Sequence, residues 1–390
     1  MLEIIFFLLL TVVLLEYIGY PLILWSIYIV RDLINFKDNK NLSNSYSDSL
    51  PTVSLILSCY NEEDVIEEKI KNIENINYPN QNIEVIIVSD GSTDNTASII
   101  KKAKRNNYKF ISYKKSKGKT YAQNAAVKKS VNEILVFTDA NAIFKPNAIS
   151  ELVNSFADDK IGGVCGEVRF QPSEKKISVS KEENTYWKYE QKIKELESRI
   201  TSIIGANGAI YAIRKEDYVP LSRDIISDLV EPLEVVKRGK KVIYNSNAVA
   251  FEKNEIDYTK EFHRKVRIIL RSLHGIKYVK ALLNPFQYGF FAIQIWLHKL
   301  LRWFIPIVLL FVFVLNFFLY NTILYKFLFW MQIIFYGFAM VALVGLKFGK
   351  FNVPKILRLP FYYCLINVAA LKALLLFIRG KKITVWTPQR

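Results

Sequence analysis

The sequence predicts an α/β domain with a mostly parallel sheet, flanked by transmembrane helices. Three observations carry this expectation. Short continuous apolar runs, Val85-Ile86-Ile87-Val88 and Ile134-Leu135-Val136-Phe137, read as strands covered on both faces. Such runs alternate with segments of helical spacing, and a βαβα order argues for parallel strands with helices on both faces. Finally, the hydrophobic residues, 51% of the 390, are unevenly spread. Ile4 to Val30, Trp303 to Tyr320, Leu324 to Leu346 and Phe361 to Ile378 are almost wholly apolar. Each is near the ~20 residues needed to cross a bilayer.

In chain order, the first apolar segment has no basic residue before it and exceeds the ~7–15 residue apolar core of a cleaved signal, so it reads as an uncleaved anchor. Arg31, Lys37 and Lys40 follow it, which places residues 31 to about 300 in the cytoplasm. Glu16 inside this span is either a packed or a functional carboxylate. Asp38 to Pro51 reads as a linker. Val53 to Ser58 is a strand, and Glu62 to Ile76 is helical through Val65, Ile66, Ile70 and Ile73. Ile83 to Ser89 is the second strand, and Thr93 opens a helix through Ala97, Ile99 and Ile100. Phe110 to Tyr113 is a short strand, Tyr121 to Ser130 a helix, and Ile134 to Thr138 the next strand.

Past Asn141 the order loosens. Gly162 to Phe170, Ala209 to Ile213 and Val242 to Phe251 read as strands, and Lys181 to Ile200 as a charged amphipathic helix. Tyr258 to Leu282 sets Phe262, Val266, Ile269, Leu273 and Ile276 on one face, interleaved with Lys260, Arg264, Lys265, Arg267, Arg271 and Lys277. That composition suits a helix lying in a membrane interface. Gln287 to Leu301, close to Arg302, reads as a second interfacial segment. The expected organisation is an anchor over 1–30, a linker over 31–50, an α/β domain over 51–257, interfacial helices over 258–302, C-terminal spans over 303–379 and a tail over 380–390. One conflict stands: Lys347, Lys350, Lys355 and Arg358, and later Arg379, Lys381, Lys382 and Arg390, follow successive spans, and both clusters favour the cytoplasm.

The net charge is +17. No nucleic-acid-binding motif accompanies it, so anionic lipid headgroups and an anionic nucleotide account for it better. The three cysteines, Cys59, Cys165 and Cys364, have no metal spacing and read as free thiols in a reducing compartment.

Two acidic turns end buried strands: Ser89-Asp90-Gly91-Ser92-Thr93-Asp94 and Thr138-Asp139-Ala140-Asn141. Ligands of open α/β sheets bind at such carboxyl ends. Carboxylates placed there suit a nucleotide and a divalent metal. With Ser58-Cys59-Tyr60-Asn61-Glu62-Glu63, Lys117-Gly118-Lys119, Gly205-Ala206-Asn207-Gly208 and Ile226-Ser227-Asp228, these turns follow the order of motifs in family 2 glycosyltransferases. Residues 51 to 275 resemble that family, and the flanking spans resemble its membrane-bound branch of hyaluronan, cellulose and poly-N-acetylglucosamine synthases.

The resemblance implies a GT-A fold and an inverting transfer from a nucleotide-diphosphate donor, with a uridine diphosphate sugar expected. The acceptor would be a saccharide or lipid-linked sugar at the cell membrane, for cell-surface polysaccharide or glycoconjugate synthesis. The alternatives are a single-transfer enzyme acting on a polyprenyl phosphate or glycolipid and, from another class, a nucleotide-sensing membrane protein. The resemblance implies that Asp90, Tyr60, Asn61, Lys119 and Asn124 contact the nucleotide, with Glu62 either there or at a helix start. Asp139 and Asn141 would hold Mg²⁺ or Mn²⁺, although the family's second Asp is Asn141 here. Asp228 would be the general base, while Ser227 reads as a helix cap. Arg267 would match the arginine of the family's Gln-x-x-Arg-Trp motif, whose Gln and Trp are absent. Tyr186, Trp187 and Tyr189 read as core or as an alternative acceptor surface.

Overall fold

Every residue of Val53–Cys59, strand β1, is buried, as are those of Ile83–Asp90 (β2) and Ile134–Thr138 (β4). Continuous burial explains their unbroken apolar character. The computed structural model describes residues 1–34, 50–103, 105–171, 180–253, 258–348 and 353–383. Most of the expected linker, with Lys37 and Lys40, lies outside the described residues, as do Lys350 and residues 384–390.

The remaining strands are Tyr108–Tyr113 (β3), Ile143–Phe144 (β5), Ile161–Gln171 (β6), Tyr211–Arg214 (β7) and Lys241–Lys253 (β8). They form one sheet in the order β3-β2-β1-β4-β7-β6-β8-β5. The pairs β1–β2, β1–β4, β2–β3 and β6–β8 are parallel, and β7 runs antiparallel between β4 and β6. From β1 the chain builds outward through β2 to β3 on one side, then crosses back to β4 on the other side of β1. That switch point opens a crevice at the carboxyl ends of β1 and β4. Leu57 pairs with Thr138 and Cys59 with Ser89, which sets Tyr60, Asp90 and Asp139 on the same edge of the sheet. Helix Ile66–Glu74 begins four residues after Glu62 rather than at it; the carbonyl of Glu62 accepts from Ile66 N at 2.9 Å.

Among the described residues, four helices are long and apolar enough to cross a membrane: Leu2–Ile34, Phe290–Phe318, Ile323–Phe348 and Lys355–Ile378. The second corrects an expectation. Residues 290–301 do not form a separate interfacial segment; they continue into 302–318 through a π-helical stretch, Ile295–Leu301. His298 and Arg302 are tolerated inside this helix because distant acids meet them. Arg302 pairs with Glu16 at 2.5 Å and with Glu190, and His298 lies 2.7 Å from Glu197 and 3.2 Å from Glu190. Glu16 is thus a packed carboxylate, set on a second π-helical stretch, Leu15–Gly19.

Helix Tyr258–Tyr278 is also corrected. Its apolar face does not await lipid: Val266, Ile269, Leu270, Leu273 and Ile276 are buried in a cluster with Leu229, Val230 and Leu233 of helix Ser227–Lys237 and Ala369, Ala370 and Ala373 of helix Lys355–Ile378. The helix thereby fastens the sheet domain to the candidate spans.

Candidate active site

The first acidic turn is an internal support. Asp90 is fully buried, and its carboxylate accepts from Ser116 Oγ at 2.7 Å, Lys117 N at 2.9 Å and Gly118 N at 2.8 Å. Gly91, at φ +73°, lets this loop approach: a Cβ there would meet the backbone of Lys115 and Ser116. Asp90 therefore holds the loop that leads to Lys119. Asn61 is likewise bonded within the protein. It sits at φ +54°, its N donates to Ser92 Oγ at 3.1 Å, and its Oδ1 accepts from Thr93 N at 2.8 Å. Asn124 holds the 218–221 segment, accepting from Tyr218 Oη at 2.7 Å and donating to the Leu221 carbonyl at 2.7 Å. Neither these residues nor Tyr60 line the cavity described next.

That cavity, of about 810 Å³, opens at the carboxyl edge of the sheet. Glu62, Lys119, Asp139, Asn141, Asp228 and Arg267 all line it. Asp139 follows β4, and Lys119 starts helix Lys119–Lys129. Lys119 Nζ meets Asp139 Oδ1 at 2.5 Å. Asp228 lies in the first turn of helix Ser227–Lys237, and its carbonyl accepts from Ala206 N at 2.7 Å. The three charged groups converge at Gly208. A Cβ there would lie 2.9 Å from Lys119 Nζ, 3.0 Å from Asp228 Oδ2 and 3.4 Å from Asp139 Oδ2. A side chain there would crowd all three groups.

Burial raises Asp228 above the usual carboxylate range against the opposing pull of Lys119, and the like charge of Asp139 adds to the rise. Burial also works against Lys119, but Asp139 and Asp228 outweigh it and hold the ammonium protonated. One turn beyond Asp228, burial pushes Glu231 up to about 8; its carboxylate accepts from Tyr211 Oη at 2.8 Å. Ser227 does not cap the helix: Ile226 holds the N-cap position, and no side chain bonds there.

Arg271 was not singled out by the sequence. It lines the cavity and is buried, donating to the Ile225 carbonyl at 2.7 Å and to Thr120 Oγ1 at 3.2 Å. Its Nε has no hydrogen-bond partner among the described residues. Its neighbour Arg267, one turn earlier, is half-buried, and burial lowers it to about 10, aided by Arg271 and Arg264. The signal available in the sequence was the i, i+4 arginine pair beside an apolar stripe.

Oxygen donors and a nearby basic pair suit a divalent ion bridging phosphates. Among the described residues, no three His, Cys, Asp or Glu side chains gather to hold a metal. Asp139 and Asn141, both lining the cavity, are the oxygen donors that could hold such an ion. At its other end the cavity reaches Tyr17, Tyr186, Trp187, Tyr189, Tyr363 and Asn367. The aromatic residues of helix Ser180–Ile200 thus face the cavity as well as the core. Tyr17 and Asn367 lie near the middle of two candidate spans.

The sheet, its switch-point crevice and the long helices that follow make a GT-A-like fold. Residues 54–217 match the model of the glycosyl transferase family 2 domain. Over 144 residues it is 33% identical to the poly-beta-1,6-N-acetyl-D-glucosamine synthase of Staphylococcus aureus strain MSSA476, covering 36% of this chain and 33% of that protein. It is 32% identical over 121 residues to the same synthase of Staphylococcus epidermidis, covering 30% and 29%. The chain thus spans about a third of the length of these curated relatives. The solved mannosyltransferase of Pyrobaculum calidifontis, in complex with GDP-Man and Mn²⁺, superposes with a TM-score of 0.70 over 98% of this chain and 100% of its own, at 19% identity. That likeness extends the shared fold from the domain to the long helices.

Proposed function

We propose that the protein is an inverting, membrane-anchored glycosyltransferase. It moves a sugar from a nucleoside diphosphate donor, a uridine one in the first instance, to a saccharide or lipid-linked acceptor at the cell membrane. The product would serve a cell-surface polysaccharide or glycoconjugate. The observation that carries this reading is the single cavity joining Lys119, Asp139, Asp228 and Arg271 to tyrosines on two candidate spans. The family 2 domain and its relation to polysaccharide synthases support the same reading. The basic residue after the first span, Arg31, supports a cytoplasmic catalytic domain with access to nucleotide sugars.

The acceptor hydroxyl attacks the anomeric carbon on the face opposite the diphosphate. A new carbon–oxygen bond forms as the bond from that carbon to the phosphate oxygen breaks, and the diphosphate leaves with the electron pair. Asp228 takes the hydroxyl proton, a task for which its raised basicity suits it. Lys119 and Arg271 bind the diphosphate and offset its growing charge. A Mg²⁺ or Mn²⁺ ion bound at Asp139 and Asn141 would add further neutralisation of the leaving group. Gly208 leaves room for the reacting centre between these groups. Tyrosine faces on the spans offer stacking for an acceptor sugar, a surface that the missing Trp after the arginine would otherwise supply.

The test is a panel of nucleotide sugars offered to the detergent-purified protein with Mn²⁺ and a membrane lipid extract. The expected result is that one donor is consumed, with release of its nucleoside diphosphate and an inverted anomeric linkage in the product. Nucleotide binding without consumption of any donor would favour a sensing role and contradict this reading.

A further inference from the structure

Lys69 is fully buried. Helix Ile66–Glu74 places it on the same face as Ile66, Ile70 and Ile73, where the spacing calls for an apolar residue. Its ammonium donates to Thr138 Oγ1 at 2.8 Å and to the Ala142 carbonyl, and lies 4.2 Å from the centre of the Phe144 ring. Thr138 and Ala142 are the residues on either side of Asp139-Ala140-Asn141. One side chain therefore grips both ends of the turn that carries the proposed metal-binding oxygens. Thr138 Oγ1 also donates to the Ala209 carbonyl at 3.0 Å, so the grip extends to the residue after Gly208. Within the turn itself, the Ala142 N to Asp139 carbonyl bond measures 3.2 Å.

Burying an ammonium costs free energy, and an apolar side chain of similar volume usually serves stability as well or better. A lysine here is better explained by what it holds. We propose that Lys69 is a positioning residue for donor binding: it fixes the Asp139–Asn141 turn so that the carboxylate and the amide oxygen face the cavity together. Its effect on donor binding rests on the glycosyltransferase reading; its grip on the turn does not. Charge and clamp also predict opposite signs. A bare cation beside Asp139 opposes a metal ion, so deleting it would lower the Mn²⁺ needed, whereas deleting a clamp raises it.

Lys69→Met and Lys69→Gln in the full chain separate these cases. Three quantities are read: the melting temperature, amide hydrogen exchange over residues 139–142, and the Mn²⁺ dependence of uridine and guanosine diphosphate binding by calorimetry. For Lys69→Met, the melting temperature is expected to hold or rise, and exchange in the turn to quicken while the strands stay protected. The half-saturating Mn²⁺ concentration should rise by about 10-fold, as for other residues that orient metal ligands. Lys69→Gln, which keeps one donor group, should fall between, and decides the matter if Lys69→Met does not fold. Unchanged exchange in the turn, or a Mn²⁺ requirement that stays the same or falls, overturns the proposal. If the unaltered protein binds neither diphosphate, the donor reading fails, and exchange alone still decides whether Lys69 holds the turn.

Discussion

Asp139→Ala is expected to abolish sugar transfer, with a loss on the order of 10³-fold, the upper range for one electrostatic contact to a developing charge. Two losses combine. The turn after β4 gives up its only carboxylate, leaving Asn141 as a neutral oxygen donor. Lys119, 2.5 Å from Asp139 in the native site, is left beside Asp228 alone. Its ammonium would then pair with the base and hold it out of use. Excess chelator should reproduce the effect in the unaltered protein, and added Mn²⁺ or Mg²⁺ should reverse it. Full transfer in chelator would leave Asp139 as the partner of Lys119 and nothing more.

Asp228→Asn keeps size and hydrogen-bonding capacity but removes basicity. The expected loss in turnover is about 10²-fold or more, the range of a positioned general base. Donor affinity should change little, because Lys119, Arg271 and Asp139 remain. The pH profile offers a second reading. Burial raises Asp228 above the ordinary carboxylate range, so its charged, basic form is present above that raised value and is lost as pH falls through it. Transfer should therefore decline at a higher pH than an ordinary aspartate would produce, and Asp228→Asn should flatten that limb. A variant that binds donor poorly yet transfers normally at saturation would make Asp228 a binding residue.

The strands were legible because burial on both faces leaves an unbroken apolar run, as in Ile83–Asp90. The acids at strand ends were legible for the same reason: a charge that ends such a run has to face the sheet edge. What spacing alone did not reveal depends on partners far away in the chain. Arg302 ended the apolar run and set a false boundary, since Glu16, which neutralises it, lies 286 residues earlier. Arg271 and Arg267 look alike on a helical wheel; only the packing of their helix against residues 223–225 and Thr120 buries Arg271 beside Asp228. Asp90 was found but its bonding was not. Its oxygens are filled by backbone amides of residues 117 and 118, contacts that no spacing rule reports. Lys69 carried a visible signal, a charge on the apolar face of a short helix, whose meaning appears only once Thr138 and Ala142 stand over it.

Donor chemistry is expected where Lys119, Asp139, Asp228 and Arg271 line one cavity with residues of the candidate spans. The most direct measurement is an electron-density map, at side-chain resolution, of the protein with the nucleoside diphosphate of its consumed donor and Mn²⁺. The predicted map shows the metal against Asp139, with the Lys119–Asp139 pair opened, and the diphosphate within reach of Lys119 and Arg271. It leaves the space at Gly208 facing Asp228 and the tyrosine-lined end clear for an acceptor. A diphosphate bound elsewhere, with the Lys119–Asp139 pair intact, would contradict the account.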